Sequence, residues 1–205
     1  MADEHPFKYD YANDVPLDEN TAASQSARAA KLRRQLGFMR QGGHTLRFHT
    51  MQTLKPDTVG HHSFNVACLA HLLGVHLPME ERYYLMLAAL IHDMPEQNTG
   101  DIPAPSKRAI PGLHDQLHGL EAEMLTDIGL NYEATLSTEG KRVLKLADAL
   151  DGAFYCCTER AMGNKLIAPA YRNFMTYAKA IRTTKYQPEV ELMDYASDLW
   201  EKANG

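Results

Sequence analysis

Apolar residues recur every three or four positions in one segment after another, and nowhere alternate in the period of two that a half-buried strand requires. Leu113, Leu117, Leu120, Met124, Leu125 and Ile128 mark one such segment, closed by Gly129 and Asn131. Phe64, Val66, Ala67, Leu69, Ala70, Leu72 and Leu73 mark another, ending near Gly74. Pro78 suits the first turn of the next helix, which runs through Glu81, Tyr84, Leu87, Leu90 and Ile91. Strong helix formers fill residues 24–41 before Gly42-Gly43, with Lys31, Arg33 and Arg34 as a solvated face. Residues 138–162 read as a long helix stopped by Gly163-Asn164, and 171–182 and 188–202 as two more. The expected fold is all-α, a single bundle of about seven helices.

With 205 residues the chain is long enough for one domain with a substantial core. That domain is expected over residues 23–205. Residues 1–22, rich in Asp, Glu, Asn and Pro without periodicity, read as an N-terminal arm, mobile or strapped across the surface. A net charge of -5 argues against binding a nucleic-acid polymer through its phosphates. No run approaches the roughly eighteen apolar residues of a membrane span, and the N-terminus lacks a signal-like apolar core. The expectation is a cytoplasmic protein with no membrane partner. Cys68, Cys156 and Cys157 have no zinc-knuckle spacing and read as packed, reduced thiols.

The chemistry concentrates where the apolar run from Leu85 to Ile91 delivers His92-Asp93, with Glu96 and Asp101 close behind. Imidazole beside carboxylate suits a first-row divalent metal. Neighbours on a helix point about 100° apart, so one ion reaches both only near a helix end or distortion. Pro95 supplies the distortion, because it lacks an N–H and disfavours helix at Met94. His62 stands at the start of an apolar helix, and Asp148 is a single acid within the apolar stretch from Leu144 to Leu150, costly to bury unless paired, protonated or metal-bound. His62, His92, Asp93 and Asp148 make one four-ligand set for one divalent transition metal ion: Co, Mn, Zn, Fe or Ni. Asp151 reads as a polar neighbour, and Glu159-Arg160 as a surface or interface pair. His114 and His118 read as surface or partly buried histidines, since no general-base glutamate lies between them. Residues 44–59 read as an irregular loop with a turn at Pro56-Asp57, and 101–111 as a stiff loop set by Pro103, Pro105 and Pro111. Phe174, Tyr177, Tyr195 and Trp200 are expected in the core or a subunit contact.

These motifs resemble the HD-domain phosphohydrolases, and within them the YfbR-type 5'-deoxynucleotidases. Arg47-Phe48, His62-Ser63, His92-Asp93-x-x-Glu96-x-x-Thr99-Gly100-Asp101-x-Pro103-x-Pro105-x-Lys107 and Ala147-Asp148-Ala149 carry the likeness, over roughly residues 44–160. The resemblance implies an enzyme that removes the 5'-phosphate of 2'-deoxynucleoside monophosphates with metal-activated water. Glu96 becomes the general acid/base. Asp101 shares proton transfer or accepts a bond from the sugar 3'-hydroxyl. Arg47 contacts phosphate, Lys107 contacts phosphate or sugar, and Phe48 packs on the sugar. The family has Glu-His-Ser where His61-His62-Ser63 stands, and tryptophan where Phe48 stands. His61 in that place orients His62, recruits a second metal or faces water. Phage dATP triphosphohydrolases share much of the pattern, so a deoxynucleoside triphosphate hydrolase is the alternative, and a nucleotide-binding scaffold retaining the metal is the non-enzyme one. A homodimer or larger homo-oligomer is implied.

Overall fold

The computed structural model describes residues 22–204. Its helices are α1 (Ala22–Gly42), α2 (Val59–Leu73), α3 (Met79–Ile91), α4 (Glu96–Thr99), α5 (Ala104–Ala109), α6 (Leu113–Asp127), α7 (Thr138–Ala161), α8 (Ala168–Ile181) and α9 (Gln187–Asn204). Seven of these nine have thirteen residues or more, so the expected bundle of about seven is the set of long helices. The expected arm lies outside the described residues except Ala22, which opens α1. No helix among the described residues is long and apolar enough to cross a membrane.

The longest helix, α7, is the axis. Val143, Leu146, Ala147, Leu150, Ala153, Cys156 and Cys157 recur at helical spacing along it, and all are buried. That face packs against α2, α8 and α9, forming one cluster with Val66, Ala70, Leu73, Leu85, Ile167 and Met193. Ser137 starts α7 by accepting the Gly140 N–H. A smaller apolar cluster gathers Val59, Ile91, Met94, Leu125, Ile128 and Leu130, with Phe38 and Met39 of α1 against it. It fastens the start of α2 to the end of α3. Gly42 permits this close approach, since a Cβ there would lie 2.6 Å from the Met94 carbonyl oxygen.

Several expectations are corrected. Residues 44–59 contain a two-stranded antiparallel ribbon, β1 (Leu46–Arg47) with β2 (Asp57–Thr58), too short to leave an alternating pattern. Part of the proline-rich 101–111 segment is helical, because Pro103 and Pro105 fall at the N-cap and first turn of α5, where no N–H is needed. Glu159 is no surface residue: fully buried, it accepts the Leu54 and Lys55 N–H groups (both 2.8 Å) and the Asn164 side-chain amide (2.7 Å), tethering the ribbon's return loop to α7. Cys68 is exposed, whereas Cys156 and Cys157 are packed thiols. Trp200 stacks on Tyr171 at 3.9 Å and Phe174 closes on Gly152, as expected of core aromatics, and the exposed Tyr177 and Tyr195 are open to the subunit contact expected otherwise.

Arg142 of α7 clamps the last two helices. It donates to Glu139 (2.6 Å), to both Glu189 oxygens (2.6 and 3.0 Å) and to the Ile181 carbonyl (3.2 Å). The Arg142 guanidinium, helped by His76, outweighs burial and holds Glu139 down to about 2, from an ordinary 4.5. A depressed acid contributes stability above its unfolded value and loses it as pH falls towards the folded one. Thermal melting of the wild type and Glu139→Gln is therefore expected to differ most near pH 7, with the gap closing between pH 4.5 and about 2. A gap constant with pH rules out the ion pair as its source. Gly152→Ala is expected to destabilise by roughly 1–3 kcal/mol in urea unfolding, because the new Cβ would meet the Phe174 ring at 2.5 Å.

Candidate metal centre

Three helices deliver the site. Thr58 caps α2, accepting the His61 N–H, and Val59 and Gly60 bond back to Thr45 and Gly43, fixing the first turn. His62, in the next turn, is fully buried on the face that carries Val66, Leu69 and Leu73. At the end of α3, Pro95 has no N–H for the Ile91 carbonyl, which accepts from Met94 at 3.0 Å instead. The helix stops at Ile91, and His92-Asp93 occupy the turn before α4. From α7 come Asp148 and Asp151, one turn apart.

The ligand atoms of His62, His92, Asp93 and Asp148 all lie within 4.8 Å of one another. His62 Nε2 is 3.4 Å from Asp93 Oδ2 and 3.2 Å from Asp148 Oδ1, and His92 Nε2 is 3.3 Å from Asp93 Oδ1. Both Nε2 atoms are buried without a hydrogen-bond partner. Their Nδ1 atoms are occupied, at 2.6 Å from Asp151 Oδ2 for His62 and 2.9 Å from the Ala89 carbonyl for His92. Donors at about 2.0–2.2 Å from an ion stand up to about 4.4 Å apart across it. Two imidazole nitrogens and two carboxylates at this spacing fit a first-row divalent ion.

Acid dominates the charge around the cluster. Arg47 is held by Asp93 (2.7 Å) and Asp57 (3.6 Å), opposite it in the ribbon, and burial of its guanidinium is outweighed by Asp93, Asp148, Asp101 and Glu96, which raise its pKa. For His62, burial and Arg47 oppose a proton, yet contacts to Asp148, Asp151 and Asp93 prevail and lift it well above the histidine range. Asp93 goes the other way: burial would raise it, but His92, His62 and Arg47 hold it well below the carboxylate range. Glu96 opens α4 almost wholly buried, and its Oε2 has no hydrogen-bond partner. Burial, then Asp93 and Asp101, push it up to about 10 against the pull of Arg47 and Lys107.

Asp101 accepts the Phe48 N–H at 3.1 Å. Phe48 has φ 55°, a left-handed conformation costing a bulky residue on the order of 1–3 kcal/mol. Its ring stacks on Tyr155 at 4.6 Å and meets Phe174 edge-on at 6.0 Å. The structure thus gathers Arg47, Glu96 and Asp101 at the four candidate ligands, with Phe48 beside them. Lys107, on α5, is near enough for its charge to act on Glu96. Arg47 differs from the sequence expectation in having part of its guanidinium engaged by Asp93 and Asp57. His61 does not orient His62: its ring turns outward to Asp57 at 3.1 Å. Asp151, expected only as a polar neighbour, bonds the His62 ring, and Asp57, expected only in a turn, pairs with Arg47. The three-residue spacing of Asp148 and Asp151 on one helix was the available signal for Asp151. Glu121 of α6 also senses Lys107, Asp93 and His92. His114 and His118 stand apart, with ring centroids 6.4 Å from each other.

An all-α bundle with this His…His-Asp…Asp cluster belongs to the class of HD-domain phosphohydrolases, and the chain is a hydrolase of that class. A family model described as 5'-deoxynucleotidase YfbR-like matches residues 38–195, and the chain belongs to that family. It is 32% identical over 175 residues to the 5'-deoxynucleotidase YfbR of Escherichia coli O1:K1 / APEC, an alignment covering 75% of this chain and 83% of that one. It is 28% identical over 117 residues to the dATP triphosphohydrolase of cyanophage S-2L, covering 56% of this chain and 65% of the phage protein. Among solved structures, the cyanophage S-2L HD phosphohydrolase (DatZ), bound to dA and one catalytic Zn2+ ion, superposes with a TM-score of 0.59 at 25% identity, covering 80% of this chain and 93% of that one. An HD-domain phosphohydrolase from Listeria innocua gives 0.62 at 20% identity, covering 83% and 92%, and shares the fold.

The cluster generates a direct expectation. Zinc or manganese added to chelator-stripped protein should raise the melting temperature, with a gain of about 2.7 kcal/mol at a hundredfold excess over Kd. In Asp148→Asn the rise should shrink to a small part of that. An undiminished rise would place the ion elsewhere.

Proposed function

We propose that residues 23–205 form one HD-type hydrolase domain that removes the 5'-phosphate from 2'-deoxynucleoside monophosphates, in the cytoplasm. The observation that carries this reading is the convergence of two histidines and two aspartates, their ligand atoms within 4.8 Å of one another, with the buried Glu96 carboxyl nearby and its Oε2 without a hydrogen-bond partner. His62, His92, Asp93 and Asp148 would hold one divalent ion. Such an ion supplies charge neutralisation to a phosphoryl oxygen and makes water a better nucleophile at neutral pH. Asp93 stays a carboxylate, as a ligand must. Water oxygen attacks phosphorus as the bond to the 5'-oxygen breaks. Glu96 gives its proton to that departing oxygen and regains one from the attacking water. Arg47 and Lys107 provide cationic reach to the phosphate, while Asp101 and the Phe48 ring border the sugar.

Similarity to the phage dATP triphosphohydrolase favours a second reading, hydrolysis of deoxynucleoside triphosphates. A substrate panel decides between them. Deoxynucleoside monophosphates with a divalent metal should yield equal amounts of deoxynucleoside and phosphate, and ribonucleotides less. Turnover of triphosphates alone would overturn the first reading. Glu96→Gln should lower kcat by about 10²–10⁴-fold while leaving bound metal unchanged. Equal rates for the two proteins would remove Glu96 from proton transfer. A homo-oligomer is also proposed. Phe64, Cys68 and Leu72, four residues apart along α2, leave an exposed apolar stripe that a second copy would cover.

A further inference from the structure

We propose that Asp151 is the positioning residue that makes His62 the anchoring ligand of the metal centre, and this rests on the metal-dependent reading above. Asp151 is buried, and its Oδ2 lies 2.6 Å from His62 Nδ1, the shortest contact of that imidazole. Asp148 approaches the other nitrogen, with Oδ1 3.2 Å from Nε2. One turn of α7 therefore grips both edges of a single ring carried by α2.

The chemistry follows from the tautomer. A neutral imidazole has one N–H and one lone pair, and the partner of one nitrogen fixes which is which. A carboxylate only accepts, so Asp151 keeps the hydrogen on Nδ1, and a bound ion would take the place at Nε2, between Asp93 and Asp148, of the second proton those acids otherwise favour. Its negative charge also makes the imidazole a stronger donor than a neutral acceptor would. His92 provides the internal contrast, because its Nδ1 meets only the Ala89 carbonyl. The two histidines thus differ in donor strength, and His62 binds the ion more firmly.

Asp151 acts through His62, with only 5% of its surface exposed. Away from His62 it borders a small cavity shared with Asp57, His61, Asn65 and Tyr155. The neighbouring histidine cannot substitute for it. The His61 side chain is 55% exposed and bonded to Asp57, so orientation of His62 falls to α7 rather than to the residue beside it in sequence.

The test is metal affinity, measured on the full-length protein by competition between zinc or manganese and a chromophoric chelator. Melting temperature is followed alongside. Asp151→Ala should bind metal about 10- to 100-fold more weakly than wild type. Asp151→Asn keeps an oxygen to accept from Nδ1 and loses the charge, so its affinity should fall between the two. In steady-state assays at limiting metal, kcat should fall with KM unchanged, and saturating metal should restore it. Native affinity in a folded Asp151→Ala protein overturns the assignment. If that variant does not fold, native affinity in Asp151→Asn overturns it equally. Wild-type protein that binds no metal would refute the metal-dependent reading instead, a result separable from either.

Discussion

The structure is organised by an excess of carboxylate gathered where three helices meet the ribbon, with too little positive charge to balance it. Asp57, Asp93, Asp101, Asp148, Asp151 and Glu96 surround two imidazoles and one buried guanidinium. Isolated buried carboxylates cost far more than a fold of ordinary stability tolerates. Each acid here has a different answer to that cost. Asp57 and Asp93 share Arg47, Asp151 has the His62 ring, and Asp101 accepts a backbone N–H. Glu96 has no donor for Oε2, and its burial beside Asp93 and Asp101 raises its pKa. The residual charge, on Asp93 and Asp148 at the two free Nε2 atoms, is what a divalent cation would balance.

Rigidity comes from apolar packing on either side of this pocket. The main cluster immobilises the α7 face next to Asp148 and Asp151, through Leu146, Ala147 and Leu150. The smaller cluster pins Val59, Ile91 and Met94, which are chain neighbours of the ligand-bearing turns. A site spread over three helices depends on their relative placement, so core packing bears directly on ligand geometry. The ribbon adds a second restraint. Arg47 and Asp57 face each other across it, and buried Glu159 holds the returning loop by its backbone. The strained Phe48 backbone is stabilised by its bond to Asp101 and its stacking on Tyr155.

Helical apolar spacing made the bundle legible, and Pro95 made the end of α3 legible, because both are local properties of the chain. The convergence of His62, His92, Asp93 and Asp148 could be read from residue types placed at helix ends and inside apolar stretches. Other features depend on contacts distant in sequence. Glu159 looks like a surface acid until the loop at 54–55, more than a hundred residues earlier, brings two N–H groups to it. His61 is an obvious candidate partner for His62 by adjacency, yet a helix sends neighbours to different faces, and the partner sits 89 residues away on α7. The two-residue strands are too short to have a period. In the 101–111 segment proline counted as a breaker, although at a helix start it is a favourable residue.

Hydrolysis of a phosphate ester asks one pocket for carboxylates that stay ionised and a carboxylic acid that stays protonated. Sequence distance does not separate these roles, since Asp93 and Glu96 are three residues apart. Environment does. Asp93 projects between two imidazoles and Arg47, and their positive charge overrides its burial. Glu96, which opens α4, meets burial first and then the negative charges of Asp93 and Asp101. The same ionised Asp93 that would hold a cation therefore helps keep the proton on Glu96. Ligand and acid are thereby coupled: neutralising Asp93 would lower the Glu96 pKa as well as weaken the metal centre.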